Sequence, residues 1–529
     1  MRNRWAQLLL RAAAAVLLSL GPNAVAASVA PDRHVVVVVW DGMRPDFVSE
    51  QNTPTLWKLA QSGVTFRNHH SVYPSATIVN GTAINTGVYP NRSGILANHD
   101  YLPRINLKSS IDVENSRVVR KVDQLNGGKY VAVSTIAELV HNAGGKTAIA
   151  TAKTVGFLFD RRAESRSGPN IFAGASAPPE AVIEIAKTLG VFPPATQPGE
   201  RDGWTTKALT DVIWRNELPA FSLLWLSEPD DTEHKTAPGA PAAIAAIKSS
   251  DDNLARVLAA LDRPASAKAT ARQATDIFVV SDHGFSTIAR SINVPKILRD
   301  AGFDAVTTFT NEPKNGQIMI VGNGGTVLFY VIGHDAAVTH RLVEFLQQTD
   351  FAGVVFTREP MEGTFTFDKA KIDPPSGGYG AAGNEHAPDV EMSFRWTGDK
   401  NEFGAAGMID GDWQRAAGKG THATLSKFDM HNILIAAGPD FRRGEAGELP
   451  SGNVDLAPTI LQILGIKSSS PMDGRILSEA MEDGQSVKPE RETLESTKKF
   501  PTGTWRQHLQ ISRVGSTIYL DEGNGAFTR

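Results

Sequence analysis

The 529-residue sequence contains no cysteine. Disulfides, thiolate metal sites and a lipid-anchored lipoprotein, which needs a cysteine after its signal, are therefore excluded. Any metal must be held by oxygen and nitrogen ligands. There is no excess of positive charge either: 53 Lys and Arg stand against 57 Asp and Glu, a formal charge of −4. Without a basic face, nucleic acid is not expected as a structural partner. Long apolar runs are missing apart from Ala12 to Leu20, which Arg2, Arg4 and Arg11 flank and Ala24-Val25-Ala26 follows. That run is too short for a comfortable membrane span. It reads as a signal peptide over residues 1–26, whose removal takes the formal charge from −4 to −7. The expected location is periplasmic or secreted, with no membrane span after signal removal. Nothing in the sequence specifies an oligomeric state.

What is present is an ordinary globular composition, 41% hydrophobic and 21% charged, with enough chain for a large core. The run Val35 to Val39 predicts a strand buried on both faces. Thr53-Pro54 starts a helix that Gly63 stops. The alternation continues with a helix at Ser134–Asn142, strands at Thr147–Ala150 and Phe221–Leu226, a helix at Ala242–Leu261 and a strand at Asp276–Val280. A strand at Asn432–Ala436 and a helix at Leu456–Leu464 close it. Strands alternating with helices predict an α/β fold, a doubly wound, mostly parallel sheet between helical layers. Residues 33–292 and 397–478 are read as the catalytic domain, 293–396 as an inserted cap and 479–529 as a C-terminal tail, either mobile or forming a final strand pair.

The acidic residues fall where such a sheet puts its ligands. Asp41 ends the first strand, Asp230 follows the strand ending at Leu226, and Asp282-His283 follow the strand ending at Val280. Carboxyl ends of parallel strands line the ligand crevice. Any one of these residues alone reads as a loop or cap residue; together, two with histidine partners, they read as a metal site. The spacing of Asp230 and His234 puts both on one side of a turn or helix start. Mixed carboxylate and imidazole donors suit Zn²⁺. Asp231 and Glu233 read as supporting or solvated. Near Thr77, small and apolar residues at helical spacing place a hydroxyl at a helix N-terminus, which favours an anion. Ser75, Thr77, Thr82 and Thr86 are equally plausible nucleophiles on this local reasoning.

The ordered set Asp41-Gly-Met-Arg-Pro-Asp, Thr77 with Thr86-Gly-Val-Tyr-Pro and Gly94-Ile-Leu-Ala-Asn98, Glu228-Pro-Asp-Asp-Thr-Glu-His234, Ser281-Asp-His-Gly284 and Gly420-Thr-His422 resembles the alkaline phosphatase superfamily. Its type I phosphodiesterase/nucleotide pyrophosphatase branch is the most similar. The resemblance covers roughly residues 35–475. It implies a nucleophile ten residues before Gly87 and twenty-one before Asn98, which is Thr77. It implies two Zn²⁺ ions, one on Asp41, Asp282, His283 and Thr77, the other on Asp230, His234 and His422. Asn98 would donate to a phosphoryl oxygen. The implied reaction is hydrolysis of phosphodiester or nucleotide pyrophosphate bonds in a small-molecule phosphate ester, through a phosphothreonine. The alternatives are a phosphomonoesterase or phosphonoacetate hydrolase-like enzyme of the same superfamily, and a non-catalytic zinc-dependent binding protein. A sulfatase is disfavoured, since its (Cys/Ser)-x-Pro-x-Arg context is absent.

Two departures stand out. After Thr77 the branch usually reads Phe-Pro-Asn-His, whereas this chain has Ile78-Val79-Asn80-Gly81. Lys153 resembles the first basic residue of the Lys-x-Arg or Lys-x-Lys pair in monoesterases and phosphonoacetate hydrolases, but Val155 replaces the second. Lys153 is thus a candidate substrate-binding residue, and Val155→Arg is expected to raise monoesterase activity. His386 and His431 compete with His422 as the last ligand, and glycine-rich context favours His422.

Overall fold

The computed structural model describes residues 33–160, 168–263, 270–373, 387–468, 470–484 and 487–529. The expected signal peptide and His386 lie outside them. Val35 to Val39 form the centre of a nine-stranded sheet, and every one of these side chains is buried. The strand His34–Trp40 pairs in parallel with Thr275–Val280 on one side and Phe221–Leu226 on the other, Val35 lying opposite Asp276 and Phe221. Thr147–Thr151 and Asn170–Phe172 extend the parallel run. Antiparallel pairings, with Leu434–Ala437 next to Thr275–Val280 and Ala175–Ala177 next to Asn170–Phe172, flank it.

Because side chains alternate along a strand, Val35, Val37 and Val39 enter one core and Val36, Val38 and Trp40 the other. Helices Pro54–Gln61 and Pro241–Leu261 cover the second face, through Leu56, Leu59, Ile247 and Leu254. Ile136–Asn142, Leu456–Ile463 and Thr77–Thr86 cover the first. Local signals set several boundaries. Pro54 and Pro241 occupy first-turn positions, and Thr135 with Glu138 forms a capping box. The helix therefore begins at Ile136, two residues later than its apolar pattern predicts.

The insert has its own core around a six-stranded sheet, which includes Ile318–Gly322, Thr326–Val331, Val390–Phe394 and Ala352–Thr357. A four-stranded sheet joins it to the layers around the nine-stranded sheet: Ser286–Ile292 lies between Ala406–Asp412 and Gly420–Thr421. The joint thus takes strands from before residue 293 and after residue 396.

Of the two readings of the C-terminal residues, the structure has strands, three of them rather than a pair. Glu490–Phe500, Gly503–Val514 and Thr517–Thr528 form a three-stranded antiparallel sheet. Trp505, Gln507, Leu509 and Ile511 are buried at every second position, and Trp505 joins the core of the insert. The Gln507 amide accepts from Val355 N–H at 2.8 Å. The Gly523 N–H donates to Leu425 O at 2.9 Å, three residues beyond His422. Charge along Glu490–Phe500 hides the two-residue period from a sequence reading.

Candidate active site

Four neighbouring parallel strands bring the site residues to one edge: Asp282-His283 after Val280, Asp41 after Trp40, Asp230 after Leu226 and Lys153 after Thr151. Gly42 turns the chain immediately after Asp41 at φ 75 and donates its N–H to Asp282 Oδ1 at 3.1 Å. An added Cβ there would lie 2.9 Å from the Phe285 ring. Asp41 Oδ2 accepts from Trp225 Nε1 at 2.8 Å.

The three imidazoles share one arrangement. His283 Nδ1 lies 2.9 Å from Gly284 O, His234 Nδ1 3.0 Å from Gly420 O and His422 Nδ1 2.8 Å from Ser75 O. A carbonyl only accepts, so each Nδ1 carries a proton and each Nε2 is the atom turned toward the carboxylates. Those Nε2 atoms face carboxylate oxygens: His234 and His422 lie 3.2 and 3.5 Å from Asp230 Oδ1. His283 lies 3.2 Å from Asp282 Oδ2 and 3.6 Å from Asp41 Oδ1. Among the described residues, Asp41 Oδ1, Asp230 Oδ1 and Asp282 Oδ2 are buried with no hydrogen-bond partner. Imidazole nitrogens and unsatisfied carboxylate oxygens converging at this distance leave a place for a cation between them. The donor set therefore fits metal ions held by oxygen and nitrogen. Burial, followed by the nearby His283, holds His422 well below its ordinary pKa, keeping it a neutral donor. Burial and Asp282 push the Asp41 carboxyl up. For Asp230, burial is outweighed by His234 and Lys153, which hold it down.

Lys153 Nζ lies 2.5 Å from Asp230 and 3.0 Å from Asp41, bridging the clusters. Both carboxylates outweigh burial and hold the ammonium charged. Val155 does not stand beside it as a substrate-facing position. It is fully buried, 2.5 Å from where a Cβ on Gly81 would sit. An arginine there would displace helix Thr77–Thr86, which runs against the expectation that Val155→Arg raises monoesterase activity.

The hydroxyls separate cleanly. Thr82 and Thr86 donate to the carbonyls four residues back, and Ser75 donates to Thr424 O. Thr77, first residue of its helix, places Oγ1 3.2 Å from His283 Nε2. Asn98 Oδ1 accepts from Ile78 N–H at 3.0 Å, which leaves its NH₂ for another acceptor. His431 packs against His70 instead, at a centroid distance of 4.4 Å, and does not line the cavity. His70 also pairs with Asp521 at 2.8 Å.

Thr77, Asn98, Lys153, Asp230, His234 and His422 line one cavity of about 470 Å³. Sequence reasoning missed its other walls: Glu114, Arg201, Arg415 and the Asn323-Gly324 turn of the insert. His99, given no role from sequence, lines it too. Asn323 clamps this stretch, accepting from His99 N–H at 2.8 Å and donating to His99 O at 3.0 Å. No local spacing marks these residues; only the fold brings them together. Burial and its acidic neighbours raise Glu114 to about 7, although Lys153 opposes the shift.

Residues 35–389 match the sequence profile of the type I phosphodiesterase / nucleotide pyrophosphatase family. The chain belongs to this family. Human ectonucleotide pyrophosphatase/phosphodiesterase family member 1 is 24% identical over 251 residues, 46% of this chain and 22% of that protein. Venom phosphodiesterase 2 of Crotalus adamanteus is 25% identical over 260 residues, 48% of this chain and 27% of that protein. The match thus spans about a quarter of each relative's length. Murine ectonucleotide pyrophosphatase / phosphodiesterase 5, solved in an inactive form in complex with AMP, superposes with a TM-score of 0.57 at 16% identity. The match covers 85% of this chain and 100% of that one, and shows the shared α/β fold. Within the type I phosphodiesterase / nucleotide pyrophosphatase family, this chain's Gly81 has a physical reason. Any Cβ would meet Val155 at 2.5 Å and Trp225 at 3.2 Å. Among the described residues, no helix is long and apolar enough to cross a membrane.

Proposed function

We infer that this chain is a two-zinc hydrolase of phosphodiester or nucleotide pyrophosphate bonds, working outside the cytoplasm through a phosphothreonine on Thr77. The observation that carries the reading is the convergence of three Nε2 atoms and three orphaned carboxylate oxygens beside one threonine hydroxyl. Asp41, Asp282, His283 and Thr77 would hold one zinc, and Asp230, His234 and His422 the other. Zinc bound there supplies Lewis-acid charge, lowering the pKa of a hydroxyl and polarising phosphoryl oxygens. Thr77 gives up its hydroxyl proton to solvent and Oγ1 attacks phosphorus in line, forming one P–O bond as the bond to the departing group breaks and that group leaves with the bonding pair. Water then hydrolyses the phosphothreonine in the mirror-image step and frees Oγ1. The Asn98 NH₂ donates to a non-bridging oxygen, where charge builds in the transition state. Lys153 binds Asp41 and Asp230 and so has little capacity left for a second phosphoryl charge. That favours the singly charged diester over a monoester dianion.

The test is a panel of p-nitrophenyl mono- and diesters at saturating zinc, with Thr77→Ala alongside. Diesters should be the better substrates after correction for leaving-group reactivity. Thr77→Ala should lose most turnover while keeping close to two zinc ions per chain. A strong wild-type preference for the monoester would replace this reading with a phosphatase. Near-wild-type turnover by Thr77→Ala would mean that another hydroxyl attacks.

A further inference from the structure

Among the described residues, one lysine and two arginines line the cavity, and they are not equivalent. Lys153 is bound by Asp41 and Asp230. Arg415 is exposed on the loop between strands Ala406–Asp412 and Gly420–Thr421. Arg201 is half-buried on helix Pro198–Lys207. It makes no ion pair among the described residues, and its Nε is buried without a hydrogen-bond partner. An unpaired guanidinium in a partly desolvated wall is costly unless a ligand completes it.

The surroundings hold that guanidinium in place. Its Cζ lies 4.9 Å over the Phe192 ring, a cation–π contact that fixes the plane and leaves the N–H edges open. Phe192 is fixed in turn by an edge contact to Trp204 at 5.2 Å, and Trp204 Nε1 donates to Gly190 O at 2.9 Å. Gly174, at φ 76, lets the neighbouring hairpin close over Phe192, since a Cβ there would lie 2.6 Å from the ring. The next residue, Asp202, ties the same helix to the metal-site loop. It accepts from Ser227 N at 2.7 Å, Ser227 Oγ at 3.0 Å and Glu228 N at 3.1 Å. Ser227 and Glu228 lead directly into Asp230. One helix turn thus indexes Arg201 to the residues that face the reacting phosphorus.

We propose that Arg201 is a specificity-determining residue that binds a second anionic group, a carboxylate or a phosphate, on the substrate's non-reacting portion. The assignment rests on the hydrolase reading above and deepens it. The planar fork gives paired donors to either oxyanion, while the shared leaving chemistry stays with Thr77 and the metal clusters.

The test uses full-length, zinc-loaded protein and three diesters that share p-nitrophenolate as leaving group. Their second ester arm is methyl, 2-carboxyethyl or 2-phosphoethyl. Wild type should favour the charged arms, and Arg201→Met should lower the charged-to-methyl ratio of kcat/KM by about 10- to 100-fold, the size of one well-aligned charged hydrogen-bond pair. Arg201→Lys should restore part of it. The two charged arms tell carboxylate recognition from phosphate recognition. A ratio unchanged in Arg201→Met overturns the proposal, as does a fall of equal size for all three esters, which would mark a structural role. Calorimetric binding of the charged esters to Thr77→Ala, with and without Arg201→Met, separates this proposal from the hydrolase reading. Arg201-dependent binding without wild-type turnover would sink the reaction assignment and keep Arg201. Equal binding with and without Arg201 would sink the Arg201 assignment.

Discussion

Replacing Trp225 with phenylalanine removes, among the described residues, the only side-chain hydrogen bond donated to Asp41 by a neutral group, Nε1 to Oδ2 at 2.8 Å. Both partners are fully buried. A hydrogen bond to a buried charged group contributes about 1.5–3 kcal/mol. Loss of a partner that orients a metal-ligating carboxylate costs about 10–100-fold in metal affinity. The two ranges agree, since tenfold is about 1.4 kcal/mol. Phenylalanine also vacates space beside Gly81, where the indole Cη2 lies 3.2 Å from a notional Cβ, so metal-free stability should fall as well. Zinc affinity is read by competition with a chromophoric chelator, and stability by urea unfolding of the metal-free protein. Trp225→Phe should weaken the tighter or the weaker zinc step by about 10–100-fold and shift the urea midpoint downward. A downward urea shift with zinc affinity within twofold of wild type would refute the reasoning and leave Trp225 a packing residue.

Val155→Arg should yield insoluble or strongly destabilised protein rather than a better monoesterase, since it drives a charge into the contact between Val155 and Gly81; expression yield and thermal melting check this. Glu391 is pushed up to about 8 by burial, against a hydrogen bond from Tyr73 that lowers it. The native state therefore keeps a proton that the unfolded chain loses above its ordinary value near 4.5. That contribution to stability is present at low pH and is lost as pH rises toward about 8. Urea midpoints from pH 5 to 8 should fall less steeply for Glu391→Gln than for wild type, and parallel slopes would count against the assignment. Asp521→Asn removes the carboxylate that pairs with His70 at 2.8 Å and should cost about 1.5–3 kcal/mol, measured by urea unfolding at pH 7.

Much of the catalytic layer was legible because its signals are local. Five consecutive valines can form little but a doubly buried strand, and acidic residues just past strand ends belong to a ligand edge in any parallel sheet. Thr77 was not legible in that way. Its helix is buried on all sides and shows no amphipathic stripe, so only the resemblance distinguished it from Ser75, Thr82 and Thr86. The structure then gave each competing hydroxyl a backbone partner. Arg201 was invisible for the opposite reason. It sits in Pro-Gly-Glu-Arg-Asp-Gly, an unremarkable charged helix start whose meaning depends on Phe192 nine residues earlier and Ser227 far downstream. Asn323 reaches the cavity from the insert and Arg415 from the loop before Gly420–Thr421, and no spacing along the chain encodes that. In Glu490–Phe500, side chains facing water carry the charge while the third strand and the insert supply the apolar partner. A two-residue period therefore exists only in the assembled sheet.

The docking of the final three strands also ties together two segments far apart in sequence. Gly523 is bonded to Leu425, close after His422, and Asp521 is bonded to His70, seven residues before Thr77. One strand, Thr517–Thr528, thus reaches both the segment after His422 and the segment that leads into Thr77. The spacing of two flanks of the cavity is therefore held from outside the parallel sheet, and a disturbance of that one strand is felt at both flanks at once.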